Sequence, residues 1–363
     1  MRKPDFSRMR KTLLLEGEPD FVPMFNGVDR ELKSAFLGKP VTDLKNEVEF
    51  AIAAGYDFVH LWVGLPFIMG WGGRVFSHKT IDMKKPIFET HRDKYSAIGE
   101  NEGDRTWLRA SSGNITTLEE FESFPWPSAE DFDFSAFEEI KQYLPPDMKA
   151  IVTLSGVYDP VWWLMGGESF YLASVDNPEL ISKMFEKVGE LHFKWAEKAL
   201  SFDHVGALRI DDDIAYNNGT LVSPKFLRQY FIPWFEKVGK LVKSHGLPFL
   251  YHSDGNLYEI LDDLIAAGLN ALHPIQPNAM DIRYLKQKVG DKLCLMGNID
   301  MDVLSRGTPD EVAELVKRNL RDIAPGGGYV VGASNSIPEY IPFNNYNAMR
   351  KTALEYGHYP ISV

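Results

Sequence analysis

The sequence predicts an α/β protein built as a (β/α)8 TIM barrel, and three observations predict it. From residue 206 onward, strand-length apolar stretches alternate with helical ones, five of each over about 155 residues. Such alternation means parallel strands joined by crossover helices. Three further strand-like stretches lie upstream, bringing the total to eight. No G-x-G-x-x-G or G-x-x-x-x-G-K-[ST] follows any of them, which argues against a nucleotide-binding doubly wound sheet.

The first strand is "DFVPMFNG" (20–27), followed by the helical stretch "DLKNEVEFAIAAG" (43–55). The second is "YDFVHLW" (56–62). The third, "KAIVTLSG" (149–156), leads to the helix "PELISKMFEKVGELHFKWAEKALS" (178–201). "GALRID" (206–211) reads as a buried strand. The helix after it spans 223–246, with Ser223 as cap, Pro224 at its first position and Gly246 past its end. "LPFLYHSD" (247–254) and "LYEILDDLIAAG" (257–268) are the next strand and helix, followed by "NALHPIQ" (270–276) and "MDIRYLKQKVG" (280–290). "KLCLMGNID" (292–300) precedes a helix that Thr308 caps and Pro309 opens. "GGYVVGAS" (327–334) and "NNYNAMRKTALEYG" (344–357) close the series.

Residues 64–130 break this rhythm. They carry glycines, β-formers and the aromatics Trp71, Trp107 and Trp126. Short hairpin strands are expected at "GRVFSHKTI" (73–81), "KPIFETH" (85–91) and "TWLRASSGNITT" (106–117). The segment is an insertion after the second strand, where barrel loops build active sites, so a lid is expected. With no linker-like change in composition, residues 1–363 form one domain.

The chain of 363 residues is 44% hydrophobic and 25% charged, ordinary globular proportions. Its net charge of −12 disfavours nucleic acid or an anionic membrane as main partner. No apolar run approaches the ~20 residues of a membrane span, and the basic N-terminus has too short an apolar core for a signal sequence. A cytoplasmic protein is expected. The single cysteine, Cys294, sits in an apolar run and reads as a buried thiol. Disulfides and multi-cysteine zinc sites are excluded.

In a barrel, polar residues at C-terminal strand ends are the active-site candidates. Strand by strand they are Asn26; His60 and Trp62; Ser155, Tyr158 and Asp159; Asp211, Asp212 and Asp213; His252 and Asp254; His273 and Gln276; Asn298 and Asp300; Ser334 and Asn335. Residues two apart on a strand share a side, so His252 and Asp254 are expected to face one cavity as catalytic groups. In "IDDDIAYNNG" (210–219) the alternation puts Asp211 and Asp213 on one side and Asp212 on the other. Asp212 is taken as the pocket-facing one and the third catalytic group. A metal or a general acid would account for three adjacent carboxylates. Asn26, Trp62, Tyr158, Tyr216, His273 and Asn298 are expected as substrate-binding wall.

The succession of "IDDDIAYNNGTLVSPKFLRQYFIPWFEKV", "YHSDGN", "HPIQPNAMDI", "DKLCLMGNID" and "TPDEVAELVKRNL" resembles the uroporphyrinogen decarboxylase superfamily. The likeness is strong over the second half and looser over the first. It implies a (β/α)8 barrel that is either a decarboxylase or a corrinoid-dependent methyltransferase. The decarboxylase's arginine pair, Ser-Asp pair and Gly-His-Gly are missing: the stretches read "FVPMFNGVDR", "HLWVGL" and "VGASNS". The methyltransferase branch binds zinc through a His-x-Cys motif and a later cysteine. Here the motif is His252-Ser253-Asp254, and the later position falls near Ala333. The resemblance therefore implies an O-demethylase component, moving methyl from a methoxylated compound to cobalt(I) of a small corrinoid-binding protein; an aromatic substrate is expected from the lid tryptophans, which suit a flat apolar molecule. Its leaving oxygen would be handled by zinc on His252 and Asp254, or by a metal-free proton donor. A carboxy-lyase of the same superfamily and a noncatalytic tetrapyrrole or corrinoid binder are the alternatives.

Overall fold

A computed structural model describes residues 2–62 and 113–363, with residue 62 and two further strands, 90–96 and 102–108, described in backbone only. The strands in chain order are β1 (Phe58–Trp62), β2 (Thr90–Ser96), β3 (Glu102–Leu108), β4 (Lys149–Ser155), β5 (Val205–Asp211), β6 (Ala215–Tyr216), β7 (Gly219–Thr220), β8 (Phe249–His252), β9 (Ala271–His273), β10 (Cys294–Ile299) and β11 (Tyr329–Ala333). Seven of them make one curled parallel sheet in the order β1-β4-β5-β8-β9-β10-β11. Helices cross over between successive members, giving the (β/α)8 barrel architecture.

The eighth position is filled differently from expectation. Residues 20–27 do not form a regular strand. They run beside β11 through an isolated bridge of Met24 with Val331, and just past the segment Val28 bridges Ile337, beyond the end of β11. Phe25 N donates to Val331 O, and Val331 N to Pro23 O, both at 2.9 Å. Pro23 has no N–H to continue a ladder, so the segment bonds only through neighbouring positions. Phe25 stacks on Phe58 of β1 at 5.1 Å, bringing the two edges of the sheet together.

The N-terminal end of the barrel is plugged. Phe6 opens the helix Phe6–Leu13, and its ring occupies the space a side chain at Gly206 would need. Arg8 and Arg2 both pair with Asp57, buried just before β1, at 2.6 and 2.7 Å. The polar site must therefore open at the other end.

Two further expectations are corrected. The helix 223–246 is interrupted: a π-turn covers Leu227–Phe231, before Pro233 at the start of Ile232–Ser244. Pro233 cannot donate to the preceding turn, which favours the local widening. Of the 64–130 insertion, β2 and β3 pair as an antiparallel hairpin, whereas "GRVFSHKTI" lies outside the described residues. Residues 113–130 belong to the scaffold. Ile115 is buried, and Trp126 packs against Phe121 and Phe124, with Lys187 of the helix Pro178–Leu200 over its ring. Trp126 is thus no lid aromatic. The side chains of Trp71 and Trp107, and any lid they form, lie outside the described residues.

Candidate active site

The period of two along each strand builds the site. On β5, Arg209 and Asp211 turn inward and Asp213 follows them. On β8 and β9, His252, Asp254 and His273 do the same, while Tyr251 turns outward against Phe231 and Phe235. All of these inward groups stand at the C-terminal mouth of the barrel.

His252 and His273 occupy paired positions on β8 and β9, with Nδ1 atoms 2.8 Å apart. His252 Nε2 lies 3.8 Å from Asp213 Oδ1. The backbone N of Asp254 donates to the same Asp213 oxygen at 2.9 Å. Asn335 Nδ2 donates to Asp254 Oδ2 at 2.7 Å, while Asp254 Oδ1 is buried without a hydrogen-bond partner. His60 bonds Thr153. Phe25 forms an aromatic floor, 5.7 Å from His60 and 5.1 Å from His273.

Arg209 is the group that sequence reasoning missed. It is buried, pairs with Asp211 at 2.6 Å, and lies over the Phe25 ring at 5.0 Å. Its signal was a lone arginine inside the apolar strand "GALRID". Burial first, and Arg209 second, hold His60, His252 and His273 well below the usual imidazole range, so all three are neutral. Burial acts oppositely on the acids. It pushes Asp211 up to about 6 against the pull of Arg209. Burial and the neighbouring Asp213 push Asp254 up to about 7, against the Asn335 hydrogen bond. Asp254 is therefore a carboxylic acid poised near neutrality. Removing the amide in Asn335→Ala should move its proton release to higher pH, read by 13C NMR of the carboxyl; an unmoved titration would deny Asn335 this role.

The aspartate register is the reverse of the expected one. Asp212 turns outward and is no pocket residue. Its carboxylate accepts the backbone N–H groups of Tyr158 at 2.9 Å and Asp159 at 2.6 Å, capping the helix Tyr158–Met165. Gly156 leaves room for it, since a Cβ there would sit 1.9 Å from Asp212 Oδ2. Asp213 takes the place expected for Asp212. Asp212→Ala should accordingly lower stability by about 1–2 kcal/mol, as loss of a helix cap does, measured by denaturant unfolding.

Four of the expected wall residues are elsewhere or differently engaged. Asn26 is a strut: its Oδ1 accepts from Ala333 N at 2.9 Å and its Nδ2 donates to Tyr56 at 3.1 Å. Tyr158 is core, edge-on to Phe170 at 5.3 Å. Tyr216 is 64% exposed on the β6–β7 hairpin; only its carbonyl serves the site, accepting from Asn256 N. That hairpin presses on Gly255, where φ is +90° and a Cβ would meet Ala215 at 2.6 Å, so the turn after Asp254 requires glycine. Asn298, at φ 75°, spends its amide on Ile275 O at 2.7 Å and shapes the rim. The side chain of Trp62 lies outside the described residues. Cys294 is buried, its thiol pushed up to about 12 by burial, and it is inert as expected.

Comparison with known proteins places this geometry. The family description of uroporphyrinogen decarboxylase matches residues 112–356. The chain belongs to that family. Its members are enzymes built on this barrel. A uroporphyrinogen decarboxylase of Aromatoleum aromaticum is 29% identical over 129 residues, 34% of this chain and 35% of that protein. One of Pseudoalteromonas translucida is 27% identical over 132 residues, 35% and 36% respectively. The matched part thus spans about a third of each curated relative. A methyltransferase from Methanosarcina mazei shares the fold at a TM-score of 0.66 and 18% identity, over 96% of this chain and 98% of that one. Among the described residues, no helix is long and apolar enough to cross a membrane.

Proposed function

We propose that the protein is a cytoplasmic methyltransferase that takes the methyl group of a methoxylated, aromatic compound for a small corrinoid-carrying partner protein. The observation carrying this reading is the convergence of His252, Asp254 and Asp213, an oxygen-and-nitrogen set where a thiol-activating site would need thiolates. The fold shared with a methyltransferase over nearly its whole length supports it.

The three residues also fit a divalent cation such as zinc, which takes imidazole and carboxylate ligands. One ligand atom from each lies within 4.8 Å of the others, and Asp254 Oδ1 is buried without a partner. Asp213, His252 and Asp254 would hold the ion, which would supply Lewis acidity to the leaving oxygen. Asp254 cannot ligate the ion and keep its proton at once, so without the ion the chain's own groups do the work. Asp254, protonated near neutrality, delivers its proton from Oδ1 to the oxygen as the methyl–oxygen bond breaks. A corrinoid cobalt(I) carried by the partner would supply the nucleophile that takes the methyl group. Asn335 fixes the other carboxyl oxygen, and the neutral histidines keep cationic charge away from the donor.

Decarboxylation of uroporphyrinogen is disfavoured. Eight substrate carboxylates call for free cations, and Arg209, the cation among the described residues of the site, is spent on Asp211. The test supplies the purified protein with reduced cobalamin and a panel of methoxylated aromatics, and follows cobalt alkylation by absorbance. Uroporphyrinogen is supplied in parallel and coproporphyrinogen sought. Alkylation with no coproporphyrinogen is expected; the opposite pattern overturns the proposal.

A further inference from the structure

Asp212 and Asp159 are tied to each other's neighbourhood from both sides. Asp212 Oδ1 accepts from Asp159 N at 2.6 Å. In return Asp159, in the first turn of the helix Tyr158–Met165, accepts from Asp213 N through Oδ2 at 3.1 Å. The turn after β4 and the end of β5 are thereby clamped together.

The clamp completes the fixing of the main chain around Asp213. Asp212 N donates to His252 O at 3.0 Å, and Asp212 O accepts from the Tyr251 hydroxyl at 2.8 Å. Ile214 N donates to Ser253 Oγ at 3.2 Å. Those bonds all go to β8 and the turn after it. The N–H of Asp213 lies between them and goes the other way, to Asp159. With the peptide on each side of it held, Asp213 turns its carboxylate into the mouth. There Oδ1 accepts from Asp254 N at 2.9 Å and faces His252 Nε2 at 3.8 Å. A chain of bonds therefore runs from Asp159 after β4, through Asp213 after β5, to Asp254 after β8.

The bond serves the site rather than the helix that carries it. Asp212 already caps that helix with both of its oxygens, and Asp159 Oδ2 leaves the helix for Asp213. The bond also needs an acceptor oxygen, not a charge, because an amide oxygen accepts the same N–H. Without an acceptor, the peptide between Asp212 and Asp213 would turn to satisfy its N–H elsewhere.

We propose that Asp159 is a positioning residue: by holding Asp213 N–H it keeps the Asp213 carboxylate turned into the mouth, and through it the main chain of Asp254. The inference rests on the proposed use of Asp213 and Asp254, and its geometry is read on the resting protein.

The test is 1H–15N NMR of the aspartate-labelled, metal-free full chain, with Asp213→Asn and Asp254→Asn to assign the two amides. In Asp159→Ala both amide protons should move upfield together, each having lost its carboxylate acceptor. Asp159→Asn should return both. Should the alanine variant not fold, Asp159→Glu, one methylene longer, should move the same two signals. An Asp254 amide that stays in place when Asp159 is changed overturns the proposal, as does an asparagine variant no better than the alanine one. In methyl transfer, Asp159→Ala should lower the rate about 10–100-fold. In an Asp213→Ala background the same change should cost less than about twofold, since nothing is left to position; an equal loss in both backgrounds overturns the proposal. A silent transfer assay beside the expected amide shifts would remove the reaction and leave the positioning bond; transfer with unmoved amides would do the reverse.

Discussion

Replacing His252 with alanine should cut methyl transfer by about 10²-fold or more, the contribution expected of a residue in acid–base or metal work. The side chain meets His273 on one edge and faces Asp213 on the other. Its loss removes the donor atom facing Asp213 and leaves His273 Nδ1 without its partner. The fold should survive, because the ring lies at the mouth and the apolar barrel interior beneath is untouched. Measurement of transfer rate beside thermal unfolding checks this. A variant that unfolds like the unaltered chain and still transfers at full rate would remove His252 from the chemistry.

Asp254→Asn should be as damaging, about 10²- to 10⁴-fold for loss of a general acid, and should also change the shape of the pH profile. The unaltered protein needs Asp254 protonated, so its rate should be high below pH about 7 and fall above it as the carboxyl ionises. The variant has no such group and should show a slow, flat profile through that region. The same shift bears on stability. The folded carboxyl releases its proton at about 7, the free group at 3.8, so the folded chain binds the proton more tightly. Its contribution is fully present below 3.8 and is lost as pH rises to about 7. An Asp254→Asn rate that still falls across neutrality would assign the titration to another group.

The sequence made the barrel legible because parallel strands buried on both faces read as apolar runs, and caps such as Thr308 and Ser223 mark where helices begin. His252 and Asp254 were legible for the same periodic reason. What stayed hidden was set by register and by spatial neighbours. Three consecutive aspartates carry no sign of which faces in; the parity of β5 chose Asp211 and Asp213 and gave Asp212 to a helix terminus distant in sequence. Asn26 and Tyr158 sit near strand ends, as pocket residues do, yet each is engaged by the packing behind the sheet. Arg209 looked like an interruption in an apolar strand, because the partners that make it tolerable, Asp211 and Phe25, are assembled only by the barrel.

Phe25 ties the history of the site to the order of synthesis. The segment carrying it leaves the ribosome more than 300 residues before its backbone partner, Val331. Until β11 has emerged, the segment has no strand to lie against, and the floor under His60, His273 and Arg209 is missing. A nascent chain long enough to contain every residue of the candidate site except Asn335 is thus still without its finished pocket. Contacts of such long range are slow to form and leave apolar surface open meanwhile. The same link leaves the pocket without its floor until β11 has been made.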